Sequence, residues 1–496
     1  MPHILSPIPA KQFGYEEAAH LLNRAGFGGT PTQILTLSKM GRDDAIDYLI
    51  EWEQIPDELD NGSRFRSDIM QPLDGMQRQQ LRQARSRGDE AVLEQYRNAR
   101  QARQREDRLQ MRDIQDWWLE RMIETPRPMQ EKLTLFWHGH FATGYRAVED
   151  SWHMIKQNDF FRQHAGGNFK SDLVHGIIRD PAMIRYLNNN QNTRRAPNEN
   201  LSRELMELFT LGEGNGYTES DIKEGARALT GMTYRDDAYT FNQRDFDSSS
   251  KTIFGRSGQF DGDDFVSLIF TRSSSSWFVP WKLHRFFVDD SMRSDGDVQR
   301  AVNRMSRTFN RSNWELRPML RELLRSKWFY APENRQSIIK SPIQLTVQAV
   351  RTLSTPVRSI RRLNTACEMM GQSLFAPPSV KGWEGGQKWI NTSTLFVRAN
   401  LLLYLMTGRD PAAAEWEAAR GDWNPEPLVA HLKDLPGRDF STDAATYLSR
   451  LLLGAAPTDG RIEKWSTAIA AEKQTDRERL MQLISLITAA PEYQLC

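Results

Sequence analysis

Two histidines in the segment FWHGHF are the first residues whose type and spacing suggest chemistry. Histidine is a common metal ligand and a general acid or base near neutral pH. His138 and His140 are two positions apart, so an unbroken α-helix would point them about 200° apart and away from a shared ion. A break at Gly139 would change this, because glycine permits non-helical backbone. The alternative is one core histidine bonded to the backbone and one histidine at the surface.

A second candidate, His164, lies near the end of the segment SWHMIKQNDFFRQHAGGNF. The pattern predicts one helix that ends at Gly166 and Gly167 and carries His153 and His164 on the same face. These two histidines are separated by about 16 Å along a helix axis, so they cannot share one ion. His164 is therefore the better site candidate, although the helix dipole alone also favours a histidine there.

The segment PNENLSRELMELFTLG predicts a helix with two glutamates beside its apolar stripe. Glu204 and Glu207 share one side of this helix, as metal-binding carboxylates do in helical bundles. The alternative is structural, with Arg203 forming i, i+4 ion pairs to Glu199 and to Glu207. The spacing is compatible with both interpretations.

These segments support two hypotheses of different classes. The first is a metal-dependent enzyme with a His/Glu site between helices that holds a divalent transition metal and polarises water or dioxygen. The candidate metal ligands are His138, His140, His164 and Glu204, and the candidate catalytic residues are Glu204, Glu207 and Arg203. The second is a non-catalytic scaffold or partner-binding protein whose His/Glu/Arg cluster is a structural polar network. Both predict that the three segments meet, because isolated buried polar groups are costly.

The elements that position these residues are predicted to be helices. Apolar residues recur with a period near 3.6 through most of the chain, which predicts a mainly α, multi-helix globular architecture. The one β signal is a small hairpin or sheet near 234–262. We expect a helical core over 1–405 and a C-terminal helical segment over 406–496 packed on that core. Residues 76–112 predict a projecting, charged and exposed helical segment.

Two weaker motifs have a structural interpretation that we favour. The run from Asp261 to Asp264 resembles part of a calcium loop, but it lacks the later ligands and is more typical of a helix cap. Trp383 and Trp389 lie in a segment rich in glycine and proline. They could form a platform for a sugar, but aromatic residues that fix an ordered turn are the favoured interpretation.

The composition argues against several classes of partner. Lys and Arg total 65 against 64 for Asp and Glu, so no global field attracts nucleic acid or an anionic membrane. No stretch reaches about 18 consecutive apolar residues, which argues against an integral membrane segment. The N-terminal residues show no signal-peptide pattern, so we expect a cytoplasmic protein.

The motifs together resemble a bacterial family catalogued as domain of unknown function 1800. The matching segments include AAHLLNRAGFGGTP, FWHGHFATG, RQHAGGNF, PNENLSRELMELFTLGEGNGYTESDIKEGARALTGMTY, KSPIQL and GQSLFAPPSVKGWEGGQKWINTSTLFVRAN. His138, His140, His164, Glu199, Glu204 and Glu207 all fit the family pattern.

The resemblance implies a shared architecture, because the family has no activity that can be carried over to this chain. Its members are often exported and often encoded beside a sulfatase-like protein, which implies such a protein as a partner. The chain departs from the pattern at two places. Gly139 stands where the family usually has an amide residue, and serines precede Lys251 where a His and an Asp are common.

Overall fold

The computed structural model describes residues 3–291, 295–408, 423–432, 440–454, 457, 460–470 and 474–496. Helices account for most of these residues, so the predicted mainly α, multi-helix architecture is confirmed. Apolar side chains from the N-terminal, central and C-terminal helices join in one continuous core. The bounds predicted for the two units, 1–405 and 406–496, stay a prediction, and part of the second lies outside the described residues.

The N-terminal part of the chain forms three helices and a long helical hairpin. The helices are α1 (Tyr15–Ala25), α2 (Pro31–Met40), α3 (Arg42–Ile50), α4 (Gly75–Arg87) and α5 (Glu90–Glu124). Gly88 ends α4 in the left-handed conformation that favours glycine. Side chains of 76–106 are mostly exposed, as the charged sequence predicts, whereas Trp117 and Trp118 at the other end of α5 are buried.

The central helices carry the three segments singled out in the sequence. They are α6 (Pro128–His140), α7 (Tyr145–Val148), α8 (Ser151–Gln163), α9 (His175–Ile177), α10 (Pro181–Tyr186), α11 (Asn200–Glu204) and α12 (Glu219–Ala228). Two stretches, Phe169–Val174 and Leu205–Thr210, are π-helical. Such turns are rare and occur frequently at functional sites.

A buried ion cluster holds α5, α6 and α8 together. Glu131 of α6 is fully buried and accepts bonds from Arg121 of α5 (2.7 Å) and Arg162 of α8 (2.6 Å). The indole Nε1 of Trp118 donates to the same carboxylate at 2.9 Å. Arg121 also pairs with Asp57. Since a buried carboxylate needs such partners, the cluster fixes where α6 lies.

The β structure is small and lies where the sequence predicts it. Strands β1 (Met232–Arg235) and β2 (Ala238–Phe241) form one antiparallel pair, and β3 (Lys251–Ile253) and β4 (Arg256–Gly258) form another. Asp261 then caps the next helix, because its carboxylate accepts from the backbone N–H of Asp263 (2.9 Å) and Asp264 (3.0 Å). The helix-cap interpretation of this run is therefore confirmed.

The remaining helices complete the core. They are α13 (Gly262–Ile269), α14 (Ser275–Phe287), α15 (Gly296–Arg311), α16 (Leu316–Leu324), α17 (Pro342–Leu353), α18 (Ile360–Met369), α19 (Thr392–Thr407), α20 (Phe440–Leu453), α21 (Arg461–Ile469) and α22 (Asp476–Thr488). Over the described parts of the chain, no helix is both long and apolar enough to span a bilayer.

Candidate functional site: a cationic pocket beside the FWHGHF helix

His140 is the last residue of α6, and its ring is buried in the core. Its Nε2 lies 2.9 Å from the carbonyl oxygen of Phe209, so this nitrogen carries the proton and donates. Nδ1 then holds a lone pair and has no hydrogen-bond partner in the described structure. Burial, together with the charge of Lys282, lowers the pKa of His140 well below its usual value. The imidazole is therefore neutral near pH 7.

His138 has a different environment on the opposite side of α6. Its Nε2 accepts from the backbone N–H of Phe375 at 3.0 Å, and its ring packs edge-on against Trp118. Burial lowers its pKa to about 3, so it too is neutral. The helix continues through Gly139 without a break. The alternative of one surface histidine is wrong, because both rings are buried and both are bonded to the backbone.

His164 caps the C-terminal end of α8 at a partly exposed position. Its side chain is 37% exposed, and its Nδ1 lies 3.9 Å from the carboxylate of Asp172. The ring of Phe160 packs against it. His164 forms neither a hydrogen bond nor an ion pair with Glu204 or Glu207 in the described ranges.

Arg203 is the centre of a four-residue ion network. It pairs with Glu199 (2.9 Å), Glu207 (3.4 Å) and Glu219 (2.8 Å), which includes both i, i+4 pairs of the structural alternative. Glu204 is outside this network and has no ion pair in the described part of the molecule. Burial and the charge of Glu207 raise its pKa above the ordinary value.

The three segments do meet, but they contact one another through hydrogen bonds from side chains to backbone carbonyls and not at one shared polar site. Trp137 of FWHGHF donates to the carbonyl of Ala165 in RQHAGGNF at 2.9 Å, and His140 reaches Phe209 in the third segment. The described residues contain no group of three or more His, Cys, Asp or Glu side chains that could hold a metal ion. The proposed ligand roles of His138, His140, His164 and Glu204 stay a prediction, as do the catalytic roles of Arg203, Glu204 and Glu207.

A pocket of about 200 Å³ lies on the side of α6 that carries His140. It is bounded by α6, by α14, by the segment 338–344 and by the segment 381–389. Its walls are aromatic, from Phe136, Phe286, Trp383 and Trp389. Its charged lining is Arg24, Lys132, Lys282, Arg285, Lys340 and Lys381 against Asp290, Glu384 and the negative charge at Cys496.

Three of these cations donate hydrogen bonds to acceptors of the protein. Arg24 donates to the carbonyls of Val288 (3.0 Å) and Asn334 (2.6 Å), among others. Lys132 donates to the side chain of Gln344, and Lys340 donates to the carbonyl of Tyr493 at 2.7 Å. Burial lowers the pKa of both lysines to about 8, and the negative charge at Cys496 partly offsets this.

Lys282 and Arg285 are two pocket cations that have no such acceptor in the described residues. They are three residues apart on α14 and so lie on one face of the helix, toward the pocket. The structure, over its described residues, gives neither side chain a hydrogen bond or an ion pair. The Nζ of Lys282 lies 5.4 Å from the ring centre of Phe278, and Arg285 lies 5.2 Å from that of Trp281. Burial, and then the charge of Arg285, lowers the pKa of Lys282 to about 8.

Two further donors of the pocket lack an acceptor in the described structure, and the lining also includes two side-chain carboxyl groups. The Nε atom of Arg285 and the indole Nε1 of Trp383 are buried donors without an acceptor in the described structure. Burial raises the pKa of Asp290 to about 6, so this carboxyl is still mostly ionised at pH 7 and interacts electrostatically with Arg24 and Arg285. Glu384 lies 3.6 Å from Lys388 instead. The pocket therefore holds unmatched donors and unmatched positive charge.

Gly382 explains how the segment 381–389 closes over α6. Its φ is +77°, and a Cβ placed there would lie only 2.2 Å from the carbonyl oxygen of Gly139. Glycine at 382 thus permits both the left-handed backbone and the close approach. Gly139 in turn contacts Trp383, since a Cβ on it would lie 3.7 Å from the indole. The two glycines seat Trp383 beside His138.

Residues 20–495 match a family model described as a protein of unknown function, DUF1800. The match spans nearly the whole chain. The chain belongs to this family. Neither a curated protein sequence nor a solved structure matches it.

Proposed function

We propose that the protein binds a small anionic organic molecule in the pocket between α6 and α14. The observation that carries the proposal is the pair Lys282 and Arg285, two pocket cations that form no ion pair or hydrogen bond in the described residues. Both side chains are partly withdrawn from water, and a charge in such a position is costly unless it is paired. An anion between the two side chains would supply that pairing.

The lining indicates the chemical class of the ligand. A planar guanidinium such as that of Arg285 matches the two oxygens of a carboxylate, and Lys282 adds a point charge. The remaining walls are the rings of Phe136, Phe286 and Trp383. Apolar walls with a few convergent polar groups are typical of organic ligands rather than inorganic anions. We therefore propose a carboxylate that carries an aromatic or aliphatic body.

Isothermal titration calorimetry with phenyllactate and its neutral amide tests this proposal. We expect phenyllactate to bind at least tenfold more tightly than phenyllactamide, which is about 1.4 kcal/mol. Lys282→Gln and Arg285→Gln are expected to remove this preference, because each deletes one unpaired cation.

Lys388→Gln is the matched control. Lys388 is an exposed lysine near the pocket mouth that pairs with Glu384 and does not line the cavity. Its replacement should leave binding unchanged. Equal affinity for acid and amide, or an unaltered preference in both pocket variants, would refute the proposal.

A further inference from the structure

The three buried or partly buried lysines of the pocket differ in what their amines contact. Lys132 and Lys340 each donate to an oxygen of the protein, so their Nζ atoms already have an acceptor. The Nζ of Lys282 has an aromatic ring beside it and no acceptor in the described structure. Its amine is therefore the one available to a bound molecule.

The surroundings of Lys282 also favour the neutral amine. It lies on the same helix face as Arg285, and a second positive charge close to an ammonium disfavours protonation. Burial acts in the same direction, and the pKa of Lys282 falls to about 8. About one tenth of the side chains are then uncharged at pH 7, whereas an ordinary lysine has less than about one in a thousand.

We infer that Lys282 is a nucleophilic amine that forms an imine with the carbonyl carbon of an anionic substrate, such as a 2-oxo carboxylic acid. The inference rests on the proposed function, since Arg285 would hold the carboxylate of that substrate. It goes beyond binding, because it assigns a covalent step and a substrate class.

The step balances without an oxidant or reductant. The Nζ lone pair attacks the carbonyl carbon, a C–N bond forms, and the carbonyl oxygen takes up a proton as Nζ loses one. The resulting carbinolamine loses its hydroxyl group, and Nζ loses its second proton, so that one water leaves and a C=N bond remains. The neutral His140 lines the same pocket, and its Nδ1 has no hydrogen-bond partner in the described structure.

Reductive trapping with phenylpyruvate and cyanoborohydride tests the inference. Hydride adds to the imine carbon and leaves a stable secondary amine, which peptide mapping by mass spectrometry locates. We expect one adduct per chain, on Lys282. Lys282→Arg should lose the adduct while keeping the positive charge, and Lys388→Arg, at an exposed lysine that does not line the pocket, should keep it.

Phenyllactate separates failure of this inference from failure of the proposed function. It has the same carboxylate and ring but a hydroxyl group in place of the ketone, so it can bind and cannot form an imine. Binding of both acids without trapping would overturn the imine and leave the binding proposal intact. Binding of neither would overturn both. An adduct on Lys132, or an adduct that persists in Lys282→Arg, would also overturn the assignment.

Discussion

A protonated side chain in a pocket needs acceptors, and the cations here divide according to whether the protein supplies them. Arg24, Lys132 and Lys340 have acceptors in the surrounding backbone and side chains. In the described residues, Lys282 and Arg285 have aromatic rings beside them and neither a hydrogen bond nor an ion pair, although Asp290 lies near enough to Arg285 to interact electrostatically. Cation–π contacts contribute less than a full counter-ion to a buried charge. This difference supports the proposal that Lys282 and Arg285 contact the ligand.

The first prediction concerns the pH dependence of anion binding. A bound anion favours charged Lys282, so the pKa of this lysine is higher in the complex than its value of about 8 in the free protein. Affinity for phenyllactate should therefore be full below pH 8 and fall above it, by at most about tenfold per unit. Calorimetry from pH 6.5 to about 9.5 measures this. A flat profile would contradict the role of Lys282. Lys282→Arg should give a shallower profile, to which Lys132 and Lys340 of the same pocket, with pKa values of about 8, still contribute.

The second prediction concerns Glu131 and the stability of the fold. Glu131→Gln leaves Arg121 and Arg162 without their shared carboxylate. Loss of one partner from a buried ion cluster should lower the free energy of unfolding by about 3 kcal/mol or more. Urea denaturation measures the change. In the control Glu219→Gln, where the carboxylate is 68% exposed and paired with Arg203, we expect less than about 1 kcal/mol.

Glu131 also predicts how stability depends on pH. Arg162 and Arg121 hold its pKa below the ordinary value of 4.5 in spite of burial. The native state therefore binds the proton less well than the unfolded chain does, and the cluster contributes its full stability above about pH 4.5. That contribution is lost as the pH falls through the native pKa. A Glu131→Gln protein that loses as much stability in acid as the wild type would contradict this.

The third prediction concerns the metal-ligand role of Glu204. Replacement by glutamine keeps the shape of the side chain and removes the anionic oxygen that a divalent ion needs. With Glu204 as a ligand, metal bound to the purified protein should fall sharply in Glu204→Gln while the fold is retained. Inductively coupled plasma mass spectrometry measures it. Unchanged metal content, or wild-type protein that is metal-free when prepared without chelators, would remove the prediction.

Hydrogen bonds and ion pairs between residues close in sequence were predictable, whereas those between residues distant in sequence were not. The cap at Asp261 and the Arg203 pairs with Glu199 and Glu207 follow from spacing within one helix or turn. The partners of His140 and His138 are Phe209 and Phe375, which no local pattern indicates. The segment FVPWKLHRFFV has the apolar pattern of a core helix. The available signal for the pocket was its two cations three residues apart in an otherwise aromatic stretch.

At the scale of elements, glycine decides how the segment 381–389 packs on α6. Gly382→Ala should displace this segment, because its Cβ would overlap the carbonyl oxygen of Gly139 at 2.2 Å. We expect binding of phenyllactate to weaken at least tenfold, as the wall formed by Trp383 moves. Calorimetry on the purified variant measures this.

Gly385→Ala is the matched control for that fourth prediction. Gly385 has the same φ of +77°, but the nearest atom to a Cβ there is 3.9 Å away. Both variants therefore carry the strain of an L-residue in the left-handed region, and only Gly382→Ala adds a clash with backbone. Equal binding by the two variants would show that the close approach to Gly139 does not shape the pocket.

Over the whole molecule, helical periodicity predicted the architecture, whereas the pocket depends on long-range packing. The pocket is bounded by α6, α14 and two irregular segments, which are distant in sequence. Each segment alone has an ordinary structural explanation, such as a core helix or an ordered turn. Their charges indicate a binding site only when the fold places them around one cavity, where Lys282 and Arg285 form no ion pair within the described residues.

The last prediction concerns the hairpin formed by α4 and α5. The two helices are close near residue 77, where the hydroxyl of Tyr96 lies 3.2 Å from the carbonyl of Gln77, and their outer ends are mostly exposed. The core contacts of α5 begin further along, at Asp107 and Met111. Replacement of residues 78–95 by a four-residue Gly-Ser linker should therefore keep the fold.

We expect the shortened protein to bind phenyllactate as the wild type does, because no residue of 78–95 lines the pocket. Its free energy of unfolding should change by no more than about 1 kcal/mol, since exposed loop segments tolerate changes in length. Urea denaturation and calorimetry measure both quantities. A replacement of 114–118 is the opposite control, because it removes the buried Ile114, Trp117 and Trp118 and should prevent folding. Loss of folding in the 78–95 variant would show that the exposed hairpin is part of the cooperative core.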